Sequence, residues 1–155
     1  MIDHFKSQKA DASVWFRSLR DEIVARFERM ERQHIGDSPA GEFEVSATKR
    51  TSDDGSDAGG GLMSVMRGGR VFEKVGINVS TVFGTLGARA QDAMAARKGL
   101  PGMRDDPRFW AAGISLVAHM QNPHCPAVHM NTRMFWTPHV WWFGGGSDLN
   151  PCIEY

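Results

Sequence analysis

Residues 114–133, ISLVAHMQNPHCPAVHMNTR, gather side chains that can carry chemistry within one short stretch. An imidazole exchanges protons near neutral pH, and a planar guanidinium binds carboxylates in a bidentate manner. Side chains alternate between the two faces of a β-strand, so the odd positions of 128–136 bring three polar groups to one face: His129, Asn131 and Arg133. The even positions are mostly apolar. The pattern predicts a strand with one polar face and one apolar face.

The preceding run, residues 111–120, predicts a partner strand with the same division of faces, and QNPHCP (121–126) supplies turn residues between the two. A hairpin centred on His124 places three pairs of residues opposite each other: His119 and His129, Val117 and Asn131, Ser115 and Arg133. A surface that is merely solvated usually carries Lys, Glu and Thr. Two histidines beside an asparagine and an arginine therefore favour a functional site.

The residues that follow indicate the kind of ligand. FWTPHVWWFGGG (135–146) supplies aromatic side chains that can enclose a large flat molecule, and its glycines allow a ligand to approach the backbone closely. Asp148 adds one carboxylate at the end of a predicted strand over 139–143. Since Arg133 suits a carboxylate, the set indicates a flat, anionic organic ligand.

A long helix and several closely linked strands must position this face. Apolar residues at three- and four-residue spacing predict a helix over 11–34: Trp15, Leu19, Ile23, Phe27 and Met30. A strand is predicted over 42–48, a polar Gly-rich loop over 49–61, a hairpin over 62–84 that turns at Gly68-Gly69, and a second helix over 85–99. Short links require antiparallel strands. The sequence therefore predicts one α+β domain spanning residues 1–155.

Composition and charge exclude several classes of protein. The 18 Lys and Arg residues balance the 18 Asp and Glu residues, so the basic surface of a nucleic-acid-binding protein is not expected. No run approaches the roughly 20 apolar residues of a membrane span, and the N-terminus has no secretory apolar segment. We expect a cytoplasmic protein without membrane contact. Cys125 and Cys152 fit no metal motif and are expected to be reduced thiols.

Three segments resemble the oxygen-dependent coproporphyrinogen III oxidases, in the family's order: GGGLMSVMRGGRVFEKVGINVSTVFG (59–84), GISLVAHMQNPHCPAVHMNTRMFW (113–136) and WWFGGGSDLNP (141–151). The resemblance spans roughly residues 11–155. It implies oxidative decarboxylation of two propionates of coproporphyrinogen III to vinyl groups, giving protoporphyrinogen IX for haem synthesis. O₂ would be the co-substrate, with no organic cofactor. It also implies a homodimer whose subunit is a large antiparallel sheet flanked by helices on both faces.

The resemblance also implies roles for individual residues. His129 matches the family's proton donor, and Asp148 matches the carboxylate that holds the pyrrole nitrogens. Four residues match substrate-binding positions: Ser115, Asn131, Thr132 and Arg133. His119 and His129 match positions assigned as divalent-metal ligands in some bacterial members, although two histidines are a thin ligand set. The Val65–Lys74 hairpin matches a segment tied to dimerisation.

Family chains continue well past the GGGxDL motif, so we expect these 155 residues to be the N-terminal portion of a subunit. Such a portion would turn over porphyrinogen poorly by itself. Two alternatives stay open. One is a non-catalytic tetrapyrrole-binding module. The other is a metal-dependent hydrolase or dioxygenase on a small β-barrel with His119 and His129 as ligands, although the usual His-x-His pair with a following Glu is missing.

Overall fold

The computed structural model describes residues 6–96, 102 and 104–153. The elements follow in chain order: α1 (Lys6–Gln33), β1 (Glu44–Thr51), β2 (Asp57–Arg67), β3 (Phe72–Thr85), α2 (Ala88–Ala95), β4 (Arg108–Met120), β5 (Ala127–Trp136) and β6 (Trp141–Asn150). The six strands form one antiparallel sheet in the order β1-β2-β3-β4-β5-β6. The α+β prediction and the antiparallel links are confirmed. The edges β1 and β6 do not pair with each other, so the β-barrel alternative is wrong.

The two faces of the sheet differ because side chains alternate along each strand. One face, which we call the packed face, lies against α1 through β3 and β4. Its buried core consists of apolar side chains from four strands: Met66, Val75, Ile77, Val79, Ala112, Ile114, Leu116, Ala118 and Met134. Phe16 of α1 is fully buried against them. We call the opposite surface the open face. Among the described elements, α1 therefore covers the packed face, and α2 buries none of its residues.

The buried side of α1 differs from the predicted stripe. Trp15 and Met30 are 55% and 46% exposed, whereas Phe16 and Glu31 are fully buried. The core-facing stripe is therefore rotated by one position at both ends of the helix. An acidic residue in the buried stripe interrupts the apolar pattern, which is why the sequence favoured the neighbouring methionine.

Glu31 is buried because its carboxylate accepts four backbone hydrogen bonds. Oε2 accepts from the N–H groups of Gly41 at 2.9 Å and Arg70 at 2.6 Å. Oε1 accepts from those of Val71 and Phe72, both at 2.9 Å. Burial raises the pKa of Glu31, and the four donors lower that pKa by more, so it lies below its ordinary value. The carboxylate thereby ties the β2–β3 turn and the segment before β1 to α1.

Glycines predicted to mark loops lie inside two strands. The predicted loop over 49–61 contains the end of β1 and the start of β2, and β6 continues past the predicted 139–143 to Asn150. At Gly61 the neighbouring strand comes so close that a Cβ would lie 1.9 Å from the Val79 carbonyl oxygen. Here glycine permits close strand packing rather than a turn.

The remaining predictions about local structure agree in outline. The β2–β3 hairpin is present, but its two-residue turn is Arg70-Val71, because the Gly69 N–H donates to the Phe72 carbonyl at 2.9 Å; the predicted turn at Gly68-Gly69 is therefore wrong by two residues. The helix α2 lies within the predicted helix over 85–99. The end of that prediction, including Gly99, lies outside the described residues. Cys125 and Cys152 are both unpaired and exposed. Neither of the described helices is long and apolar enough to cross a membrane.

Candidate functional site

The β4–β5 hairpin places the predicted polar residues on the open face, but in a different register. The observed facing pairs are Val117 with His129, Ser115 with Asn131, and Gly113 with Arg133. The three predicted pairs are therefore wrong by two residues, and His119 instead pairs with Lys74 of β3. A shift of two residues keeps every side chain on its face, because strand side chains alternate with a period of two. The prediction of a shared face therefore holds in the structure.

The turn explains the altered register. The Cys125 N–H donates to the Asn122 carbonyl at 3.0 Å, and the His124 N–H donates to the Asn122 side chain at 2.9 Å. Asparagine side chains commonly close turns in this way. These bonds close the turn early, so the ladder is centred on Pro123 instead of His124.

Three rows of facing residues cross the open face from β3 to β6. The arginine row consists of Ser80, Gly113, Arg133 and Gly144. The amide row consists of Asn78, Ser115, Asn131 and Gly146. The histidine row consists of Gly76, Val117, His129 and Asp148. The arginine and amide rows line a shallow depression of about 200 Å³. A larger cavity of about 490 Å³ lies on the packed face beside α1 and contains none of the predicted site residues.

Asn78 and Ser80 of β3 were not predicted as site residues. Their place beside the site follows only from the pairing of β3 with β4, in which Asn78 faces Ser115 and Ser80 faces Gly113. The alternation of polar and apolar residues along β3 was the available signal. Thr132, a predicted substrate-binding residue, pairs with buried Ile114 on the packed face. Its side chain is therefore separated from the other site residues, and its backbone is the part that lines the depression.

His129 and Asp148 form a couple across β5 and β6. His129 Nδ1 lies 3.4 Å from Asp148 Oδ2, and Asn150 Nδ2 donates to Asp148 Oδ1 at 2.6 Å. Both side chains reach solvent, with 43% and 53% of their surface exposed. A carboxylate beside one imidazole nitrogen orients the ring and leaves the other nitrogen to exchange protons with a ligand. The couple exists because β6 continues through its glycines to Asn150.

Arg133 is exposed and, within the described part of the chain, has no hydrogen bond or ion pair. Its guanidinium is thus available to an anion from solution. Carboxylates suit its planar fork of donors best. The arrangement of Arg133, the amide row and the His129–Asp148 couple can bind a carboxylate, orient an attached group and move a proton.

His119 and His129 lie diagonally across β4 and β5, where Cβ atoms are typically about 7–8 Å apart. Within residues 6–96, 102 and 104–153, no group of three or more His, Cys, Asp or Glu side chains is placed to hold a metal. Divalent-metal sites usually take three or four protein ligands. The two imidazoles do not complete such a set, so metal binding here stays a prediction.

Comparison with known proteins identifies the family of the chain. The sequence model of the coproporphyrinogen III oxidase family matches residues 11–155. Over 149 residues the chain is 46% identical to the oxygen-dependent coproporphyrinogen-III oxidase of Rickettsia bellii (strain RML369-C), covering 94% of this chain and 48% of that relative. For the protein of the same name from Rickettsia africae (strain ESF-5), identity is 44% over 146 residues, covering 92% and 47%. The chain spans about half the length of the curated relatives it matches. It belongs to the coproporphyrinogen III oxidase family.

Proposed function

We propose that this chain forms the substrate-binding sheet of an oxygen-dependent coproporphyrinogen III oxidase. The substrate would be coproporphyrinogen III and the product protoporphyrinogen IX, in haem biosynthesis. The observation that carries the proposal is the open face, where Arg133, the amide row and the His129–Asp148 couple lie side by side. The names of the relatives supply the reaction class.

The reaction defines what the residues must do. Each propionate that becomes a vinyl group loses CO₂, one proton and two electrons. O₂ takes up the two electrons and two protons to give hydrogen peroxide, so one further proton comes from solvent. No organic cofactor is required by this balance, because the electron-rich porphyrinogen itself supplies the electrons. The protein must bind the carboxylates, orient the ring and handle protons.

The chain's residues divide these tasks. Arg133 binds a propionate through its guanidinium, with Ser115 and Asn131 beside it to orient the arm. Asp148 has oxygen lone pairs left to accept pyrrole N–H bonds. His129, oriented by Asp148, carries the proton at the ring nitrogen that Asp148 does not contact.

The test of this assignment is Arg133→Gln, with Arg29→Gln on the exposed side of α1 as the matched control. Loss of a charge-assisted hydrogen bond should weaken porphyrinogen binding by about 1.5–3 kcal/mol. Affinity is measured under anaerobic conditions, and turnover is then followed as CO₂ and fluorescent product after oxygen is admitted. An affinity unchanged by Arg133→Gln would contradict the assignment.

We also infer that these residues are the N-terminal portion of a cytoplasmic, homodimeric subunit, with the Val65–Lys74 hairpin at the dimer interface. Support for further structure beside β6 comes from its exposed apolar side chains: Trp141 at 36%, Phe143 at 56% and Leu149 at 66%. An apolar edge strand readily pairs with other chains. The measurement compares turnover and size in solution for this chain and a version extended in its reading frame. Full activity in a clean monomer of 155 residues would contradict the inference.

A non-catalytic tetrapyrrole-binding module is the second candidate, favoured by the shallow, open depression of about 200 Å³. Such a module would bind the porphyrinogen with similar affinity in the presence and absence of oxygen. It would consume no oxygen and release no CO₂. Oxygen uptake in the assay described above therefore separates the two candidates.

A further inference from the structure

We propose that the open face carries a second carboxylate-binding subsite, the basic row, formed by Arg67 of β2, Lys74 of β3 and His119 of β4. It would hold propionates on the side of the ring opposite Arg133. This inference rests on the proposed function, because it concerns how the same ligand lies on the same face. It adds a place for the carboxylates that Arg133 does not reach.

The three residues of the basic row are consecutive across the sheet. Arg67 pairs with Lys74, and Lys74 pairs with His119. They share the open face with the histidine row, since Lys74 is two residues from Gly76 and His119 is two residues from Val117. All three side chains are exposed. Directly paired residues have Cβ atoms about 5 Å apart, and like charges in such pairs destabilise a sheet.

No described acidic side chain forms an ion pair with Arg67 or Lys74. Within the described residues, neither Arg67 nor Lys74 has an ion pair or a side-chain hydrogen bond. Two acids of the neighbouring segment come near Arg67 on this face: Glu44, which pairs with Val65, and exposed Glu42, two residues before it. Neither forms an ion pair with Arg67 within the described residues.

Five ion pairs of the described chain join an arginine to an acid. Four of them join residues at most four positions apart, Arg20–Asp21, Arg26–Glu22, Arg32–Glu28 and Arg108–Asp106, and the fifth, Arg104–Asp92, joins residues 12 positions apart. The cations of the open face therefore stand apart from these. An anionic ligand would supply the missing counter-charge.

The spacing of the rows suits a flat molecule with carboxylates on opposite edges. The arginine row and the basic row are six residues apart along β4, which is about 20 Å. Between them, part of the histidine row projects little from the sheet and can form the floor beneath a flat ligand. A Cβ at Gly76, or at Gly146 in the amide row, would meet nothing within 4 Å, and Val117 presents a side chain that is 39% exposed. A macrocycle can lie on this floor with its propionates directed to both ends.

The experiment uses two porphyrins that differ in the number of carboxylates. Coproporphyrin III has four propionates around its rim, and deuteroporphyrin IX has two on one edge. Each is titrated into the 155-residue chain, and binding is read from quenching of its five tryptophans. The variant is Lys74→Gln. The matched control is Lys49→Gln, because exposed Lys49 of β1 pairs with Gly60 on the other face of the sheet.

Lys74→Gln should weaken binding of the four-propionate porphyrin roughly tenfold to a hundredfold, as expected for the loss of one charge-assisted hydrogen bond. It should change binding of the two-propionate porphyrin less than about twofold, because that ligand can satisfy Arg133 alone. Lys49→Gln should leave both affinities unchanged. The melting temperature of each variant confirms that folding is intact.

Other outcomes overturn the subsite. Unchanged affinity of Lys74→Gln for coproporphyrin III would show that the basic row does not contact the ligand. Equal weakening for both porphyrins would show a general charge effect. A changed oligomeric state with unchanged affinity would show that Arg67 and Lys74 serve the dimer interface proposed for the Val65–Lys74 hairpin and not the ligand, and would overturn the subsite. Arg133→Gln keeps the two proposals separable: weakening by Arg133→Gln alone overturns only the subsite, whereas no effect of either variant overturns the proposed function.

Discussion

Replacing Glu31 with glutamine should be among the most destabilising single changes in this chain. The carboxylate presents two oxygens, and each accepts two backbone N–H groups. Glutamine keeps the size but replaces one oxygen with an NH₂ group that cannot accept. Two of the four backbone donors would then lose their acceptor in a site that is fully buried.

The size of the effect follows from that count. A hydrogen bond to a charged group contributes about 1.5–3 kcal/mol, so two lost bonds correspond to roughly 3–6 kcal/mol. The whole free energy of unfolding of a domain is typically about 5–15 kcal/mol. Glu31→Gln should therefore remove a large share of it. Glu22→Gln is the matched control, because Glu22 on the same helix is exposed and accepts a hydrogen bond from Arg26 at 2.9 Å. That change should cost less than about 1 kcal/mol.

Urea unfolding followed by circular dichroism measures both variants at neutral and acidic pH. The pKa of Glu31 in the folded chain lies below its ordinary value, so the stabilisation is complete above the ordinary pKa and is lost as pH falls through the folded pKa. The difference between wild type and Glu31→Gln should therefore shrink below about pH 4. Equal stability of Glu31→Gln and Glu22→Gln at pH 7, or a difference that is constant with pH, would refute the reasoning.

Four other changes test the packed face and the open face. Phe16→Ala should lower the free energy of unfolding by about 3–5 kcal/mol in the same urea experiment, since Phe16 is fully buried; a loss below about 1 kcal/mol would place it outside the core. Gly61→Ala should prevent β2 from pairing normally, because a Cβ would lie 1.9 Å from a backbone oxygen; Gly76→Ala, whose Cβ meets nothing within 4 Å, should leave stability nearly unchanged and weaken porphyrin binding. Asp148→Asn should reduce turnover far more than affinity if its charge stabilises developing positive charge on the pyrrole, and equal losses would indicate a binding role alone.

The shared face of the site could be predicted from sequence, because it depends only on alternation along one strand. His129, Asn131 and Arg133 lie on one face whatever the register, because they alternate along a single strand. Ser115 and His119 of β4 share that face with them as long as the register moves by an even number of residues. The register itself could not be predicted, because the side chain of Asn122 closes the turn one position early. Local turn chemistry thus decided which residues face each other.

Two features depended on contacts that are distant in sequence. Burial of Glu31 requires donors from Gly41 and from residues 70–72, which no helical pattern reveals. The His129–Asp148 couple requires β6 to continue through Gly144–Gly146, and glycines weigh against a strand when sequence alone is considered. Pairing with β5 overrides that local preference.

The buried carboxylate also restricts how this sequence can evolve. A Cβ at Gly69 would lie 2.5–2.7 Å from the carboxylate atoms of Glu31, so any larger residue at 69 collides with the acid. The glycine is required by its neighbour and not by its own backbone, since its φ is not among the positive values. The two positions should therefore be inherited together. A lineage that keeps the acid must keep the glycine, and a side chain at 69 becomes acceptable only after the acid has been replaced by something shorter.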